Sequence, residues 1–186
     1  MRSPFNDIKC TVTALLFAGL LSGPVDAQQR SLDELFVDLS EADASDHARI
    51  ANLIRDRWLR SGSPSMDLLY RRGKEALDEG DARAAVEHFT ALVDHAPEFA
   101  EGYHARASAY FAMDLVGPAL EDLRTTLALT PRHFEALFGF GAVLEGLDRP
   151  RDALDIYRRV LEIYPLQPEA LDGVERLEVQ LEGQSL

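Results

Sequence analysis

Three prolines, Pro97, Pro131 and Pro165, stand 34 residues apart, and Ala85, Ala119 and Ala153 keep the same interval twelve residues ahead of them. Phe89, Leu123 and Tyr157 repeat the phase, so one structural unit is written three times. A chain of this kind folds by stacking equal units, none of which has a closed core until a neighbour covers it. The phase places the units at 66–99, 100–133 and 134–167.

Each unit reads as two amphipathic helices. In the first, Leu69, Gly73 and Ala76 share a stripe, Glu79-Gly80-Asp81 turns the chain, and Ala85, Phe89 and Leu92 line the second helix at helical spacing. Proline then ends that helix, because it cannot continue one, and suits the first turn of the next. Small residues at Gly73, Ala107 and Gly141 let paired helices approach closely, and Phe89, Leu123 and Tyr157 fill the space between neighbours. No convincing strand pattern occurs, so the expected class is all-α.

The register resembles the tetratricopeptide repeat family over residues 66–167. The third unit carries Leu137, Phe140-Gly141, Leu144, Ala153, Tyr157, Val160 and Pro165, and the second Tyr103, Arg106-Ala107, Tyr110, Ala119, Leu123, Thr126 and Pro131. Arg72 and Arg106 stand where the family usually has leucine, and Thr126 where it usually has a small residue. The resemblance implies a solenoid of three helix-turn-helix repeats with helical caps at both ends. It also implies a concave groove, lined by the first helix of each unit, that holds a protein or peptide. On this register the groove residues are Tyr70, Lys74, His104, Ser108, Phe111, Phe138, Ala142 and Glu145. Tyr70, Phe111 and Phe138 are the expected aromatic anchors, with Lys74 and His104 available to acidic or carboxylate groups. Some family members clamp a terminal carboxylate with Lys and Asn; only Lys74 fits that pattern, so that specificity does not carry over.

The repeat domain is expected over 64–182, with 168–182 as a capping helix through Leu171, Val174, Leu177 and Leu181, and 183–186 as a fraying tail. Residues 28–63 form a separate helical segment. Ser31-Leu32-Asp33-Glu34 is a capping-box start for a helix carrying Leu32, Leu35, Phe36 and Leu39. A second helix, 46–60, carries Ile50, Leu53, Ile54 and Trp58, and Ser63-Pro64 then caps and opens the next one. These two helices are expected to cover the first repeat, with a separate arm as the alternative.

Ahead of them, 1–27 reads as an export signal: Arg2 and Lys9, an apolar run from Val12 to Leu21, then Val25-Asp26-Ala27 as the cleavage site. The run is shorter than the roughly 20 residues of a spanning helix, so no stable membrane insertion is expected after cleavage. A periplasmic location is expected, as in the small exported repeat proteins of Gram-negative bacteria that the chain resembles. Cys10, the single cysteine, leaves with the signal, so the mature chain folds without disulfides. Two basic and two acidic residues leave with it, so the net charge stays at −13, which opposes nucleic acid and anionic lipid as partners.

The stretch DHAPEFAEGYHARASAY, 94–110, gathers His95 and His104 with Asp94, Glu98 and Glu101. The repeat phase puts the two histidines on either side of a unit junction, and Glu98 and Glu101 in a first helical turn, where negative charge is favourable. His47, His88 and His133 fall in other segments. HExxH, GxSxG and phosphate-loop patterns are absent. No catalytic residue, metal ligand or cofactor is therefore expected. The expected function is a non-enzymatic scaffold for a protein or peptide partner, with a self-associating structural protein of the cell envelope as the alternative.

Overall fold

The structure, a computed structural model, describes residues 30–183; the expected signal at 1–27 and the end of the tail lie outside the described residues. Among the described residues it is entirely helical: α1 Leu32–Glu41, α2 His47–Trp58, α3 Pro64–Asp78, α4 Ala82–His95, α5 Ala100–Phe111, α6 Val116–Leu129, α7 Phe134–Gly146, α8 Pro150–Ile163 and α9 Pro168–Gly183. The pairs α3–α4, α5–α6 and α7–α8 form three hairpins stacked in chain order, and α9 packs on α8.

The turns repeat as strictly as the helices. Gly80, Asp114 and Asp148 occupy equivalent positions with left-handed φ of 85°, 59° and 56°. One residue later the backbone N–H of Asp81, Leu115 and Arg149 reaches back to the carbonyls of Ala76, Tyr110 and Leu144 at 2.8, 2.9 and 3.0 Å. This closes the first helix of each hairpin with its outer carbonyls satisfied. Aspartate tolerates the left-handed region better than most side chains, which lets two of the three turns dispense with glycine.

Inside the hairpins, size at one position sets size at another. A Cβ at Gly73 would lie 2.4 Å from the Phe89 ring, and one at Gly141 would lie 2.6 Å from the Tyr157 ring. Where the small residue is Ala107, its partner is the smaller Leu123. The small residue on one helix thus leaves room for the large one on its partner.

Of the polar departures from the apolar pattern, Arg72 is exposed, and Arg106 and Thr126 bond within the fold. Arg106 donates through Nε and Nη2 to both carboxylate oxygens of Asp122 at 2.7 Å, and its guanidinium lies over the rings of Tyr103 and Tyr110. A forked charge pair thus ties α5 to α6 where the pattern has leucine. Thr126, fully buried, donates its hydroxyl to the carbonyl of Asp122 at 2.9 Å.

The N-terminal helices begin as the sequence reads: Ser31 and Glu34 make the reciprocal capping box, Ser31 N donating to Glu34 Oε2 at 2.6 Å and Glu34 N to Ser31 Oγ at 3.2 Å. Their destination differs from the expectation that they cover the first repeat. Leu35, Phe36, Leu39, Ile50, Ala51 and Ile54 share one core with Phe134, Leu137, Leu154 and Tyr157 of the third repeat and with Leu177 of α9. Polar contacts agree: His47 Nδ1 meets Tyr164 Oη at 2.6 Å, and Arg132 pairs with Asp33 while its guanidinium covers the Phe36 ring at 4.1 Å. The first repeat, by contrast, shares its buried core only with α5. Ser63 precedes α3, but its side chain makes no capping bond; Ser61 Oγ instead bonds the Ser63 carbonyl and Asp67.

Candidate functional site

The first helices of the hairpins, α3, α5 and α7, present a common face with two adjoining clefts. One lies between α5 and α7 and is lined by His104, Ala107, Ser108, Phe111, Ala119, Leu123, Gly139, Ala142 and Val143. Its walls are almost wholly apolar, and Phe111 stands 53% exposed at its edge, an uncommon position for a phenylalanine with no role in packing. The other cleft is polar, lined by Arg55, Tyr70, Glu101, His104, Glu135, Phe138, Gly139, Gln167 and Glu169. His104 and Gly139 belong to both.

Of the residues assigned from the repeat register, Tyr70, His104, Ser108, Phe111, Phe138 and Ala142 line these clefts. Lys74 and Glu145 line neither. Lys74 Nζ pairs with Asp78 one turn along its own helix at 3.2 Å. Glu145 turns toward α9, where it holds Arg176 and accepts from Tyr157 Oη at 3.1 Å; the same burial and carboxylate push the Tyr157 hydroxyl up to about 12. Phe138 is also partly a packing residue, stacked on Tyr157 with ring centroids 5.2 Å apart.

At the inner end of the polar cleft lies an arrangement that sequence spacing did not suggest. Glu101, placed by the repeat phase in a first helical turn, is 7% exposed. Its Oε1 faces Tyr70 Oη and His104 Nδ1, both at 3.3 Å, and its Oε2 faces His133 Nε2 at 3.0 Å. His133 is fully buried, and the indole of Trp58 stacks on it with centroids 4.0 Å apart and planes 14° from parallel. Of the stretch 94–110, only Glu101 and His104 enter this cluster; His95 and Glu98 stay exposed.

The protonation pattern follows from the contacts. Burial by itself would raise the Glu101 carboxyl, but hydrogen bonds from His104 and His133 outweigh it and hold the group at about 2. For His104 burial opposes the charge, yet the bond and attraction from Glu101 win, and its proton is held more tightly than usual. For His133 burial dominates and the cationic form is disfavoured. The Tyr70 hydroxyl is raised by burial and by the neighbouring Glu101 and Glu135. One carboxylate, one imidazole that favours its proton and one neutral imidazole thus fill the cluster.

Glu101, His104 and His133 offer ligand atoms within 4.8 Å of one another, close enough in principle to surround a cation. The geometry at His133 works against this. Its Nδ1 accepts the backbone N–H of Ala136 at 3.2 Å, which caps α7 and leaves the proton on Nε2. A metal on Nε2 would require the other tautomer, with two N–H groups facing each other. Gln167, the equivalent residue one repeat later, does the same capping through Oε1 to Ala170 N at 2.7 Å. The capping position two residues after the proline is the signal in the sequence that identifies His133. Arg55, which reaches the polar cleft from α2 and donates to Glu135 at 2.6 Å, has no such signal, because its helix lies outside the repeat register.

Comparison with known proteins places this geometry. The family model for the tetratricopeptide repeat matches residues 70–115 and 104–168. A TPR repeat-containing protein of Rhizobium etli is 33% identical over 156 residues, which cover 83% of this chain and 76% of that protein. The Hsp70-Hsp90 organizing protein 1 of Glycine max is 33% identical over 110 residues, 59% of this chain but only 19% of that longer protein. Among solved structures, the first TPR of Spaghetti (RPAP3), bound to the HSP90 peptide SRMEEVD, superposes with a TM-score of 0.60 at 26% identity, over 63% of this chain and 95% of that one. On the repeat register, the helical fold and these matches together, the chain belongs to the tetratricopeptide repeat family.

Proposed function

We propose that the protein is a non-enzymatic interaction module that holds a peptide, or an extended segment of a partner protein, in the groove of α3, α5 and α7. The observation that carries this reading is the apolar cleft between α5 and α7 with Phe111 exposed at its edge. Water-exposed apolar surface in a concave site is stabilised by a partner that covers it. The likeness to a repeat domain solved with a peptide bound supports the same reading. The clustered titratable groups are mutually satisfied and include no nucleophile paired with a base, which is the arrangement of a structural network rather than a reaction centre.

A photo-crosslinking residue in place of Phe111 tests the groove against a control in place of Val179, which is 68% exposed on α9. A discrete adduct from position 111 and none from 179 is expected in cells. Equal labelling from both positions, or none from 111, would remove the groove as the working surface. The module is further proposed to act in the periplasm after removal of residues 1–27, on the strength of the short charged start, apolar run and small-residue site in that segment. Sequencing the N-terminus of the protein from an envelope extract checks this, with Gln28 as the expected first residue.

A further inference from the structure

The two halves of the groove meet at His104 and Gly139 and differ in chemistry. Between α5 and α7 the walls are mostly apolar. Toward α9 the lining presents the carboxylates of Glu101, Glu135 and Glu169 against one guanidinium, Arg55, and one imidazole, His104. Each of those cations already has a carboxylate: Arg55 Nε donates to Glu135 at 2.6 Å, and His104 Nδ1 meets Glu101 at 3.3 Å. Glu169, exposed in the first turn of α9, accepts from the Gln167 amide at 2.8 Å, a neutral donor that leaves its charge uncompensated. On α3, one turn beyond Tyr70, Lys74 is held by Asp78. The chain as a whole carries −13, so the long-range field has the same sign as the cleft.

We infer that the groove takes an extended segment bearing an apolar side chain for the α5–α7 half and, nearby along the segment, a lysine or arginine for the half that ends at Glu169. The two halves adjoin, since they share His104 and Gly139. This assignment rests on the groove being the partner-binding surface, and it sets the protein apart from a site for acidic peptides. A segment rich in glutamate and aspartate would meet the charge of Glu169 here and would have to displace Arg55 or His104 from their present partners to find a cation.

Short probe peptides, acetylated and amidated so that their ends carry no charge, separate the possibilities. One series holds a central leucine between lysines, the other the same leucine between glutamates, and binding to the full mature chain is read by fluorescence anisotropy. The lysine series is expected to bind about tenfold tighter at low salt, the size expected when attraction replaces repulsion at a partly screened site. The gap should close as salt is added, and Glu169→Gln should narrow it.

Gly139→Leu supplies the control for the groove itself. A Cβ there meets Leu123 at 3.6 Å, an ordinary contact, and leucine favours a helix more than glycine does, so this variant retains its fold while filling the junction of both halves. Loss of both series in Gly139→Leu together with the lysine preference upholds the inference. Equal binding of the two series, or tighter binding of glutamate, with both still lost in Gly139→Leu, overturns the charge assignment and keeps the groove as the binding surface. Binding that ignores Gly139→Leu, or no binding by either series, overturns the groove reading and this inference with it.

Discussion

The first and third repeats are written in the same register yet are held in different ways. Phe89 of the first repeat closes against one glycine, Gly73, in a core shared with α5. Tyr157 of the third is flanked by two, Gly141 and Gly173, in a core that also takes in α1, α2 and α9. The helices that precede the first repeat in sequence thus support the last one in space. Position along a solenoid chain does not decide which repeat a flanking element stabilises; the match of apolar faces does.

The strongest way to break this comparison is to remove each centre in turn. Phe89→Ala and Tyr157→Ala should each cost about 3–5 kcal/mol, as for other large buried aromatics. Their reach should differ under hydrogen exchange. Tyr157→Ala speeds exchange in α7, α8 and α9 and also in α1 and α2, whereas Phe89→Ala speeds it in α3 and α4 and leaves α1 and α2 protected. Loss of protection in α1 and α2 with Phe89→Ala would mean that the N-terminal helices lean on the first repeat after all.

Acidification probes the link between α2 and the repeats through the single tryptophan, Trp58. The Glu101 carboxyl is held at about 2 against an ordinary 4.5, because the hydrogen bonds from His104 and His133 outweigh burial. Its contribution, about 3 kcal/mol, is present above pH 4.5 and is lost as pH falls toward 2. His133 is held below its ordinary 6.5 by burial, so its contribution is complete above 6.5 and is lost as pH falls through the lowered value. His104 has the opposite sign: its contribution is complete below 6.5 and fades as pH rises through its raised value. Trp58 emission should therefore change in a step below 6.5, in the native chain and not in His133→Gln, while acid unfolding below 4.5 persists in both. A native-chain Trp58 signal that follows that of His133→Gln at every pH would remove the stacked pair as a reporter of this coupling.

A methyl group sharpens the contrast further. Gly141→Ala should cost about 1–3 kcal/mol, and more than Gly73→Ala, because a Tyr157 ring pushed from Gly141 meets Gly173, where a Cβ would already lie at 2.7 Å. Urea midpoints of the two variants measure the difference, and equal midpoints would mean that flanking by two glycines adds no rigidity. At the small end, Asp46→Ala removes the exposed pair with Arg49 at the start of α2 and should change stability by less than about 0.5 kcal/mol. A larger loss in thermal melting would assign α2 a role in docking beyond its apolar face and Trp58.

Much of the fold was legible because it is local and repeated. A period of 34 residues, glycine or alanine facing a residue of matching bulk, and proline at each junction state the helices, the turns and their stacking three times over. That Tyr70, His104, Ser108, Phe111, Phe138 and Ala142 share the cleft-lining face was legible for the same reason. Lys74 and Glu145 lie outside both clefts, because a long charged side chain goes to whichever countercharge is within reach, here Asp78 and Arg176. The buried cluster was less legible still. Glu101 and His133 are 32 residues apart, at opposite ends of the second unit, and each has a local role, as a first-turn acid and a helix cap, that conceals the contact between them.

The sequence by itself determined the repeat, the all-helical class, the turns and the face on which a groove forms, since each follows from helical periodicity, side-chain volume and backbone preference within some 34 residues. Tertiary structure alone decided where α1 and α2 dock, that Arg55 joins the groove from outside the repeats, and that His104 and His133 converge on the buried Glu101, with Trp58 stacked on His133. Those outcomes depend on which apolar faces and which charges meet after the chain has folded back on itself, and the free energy of burying a charge is fixed by neighbours that no local pattern specifies.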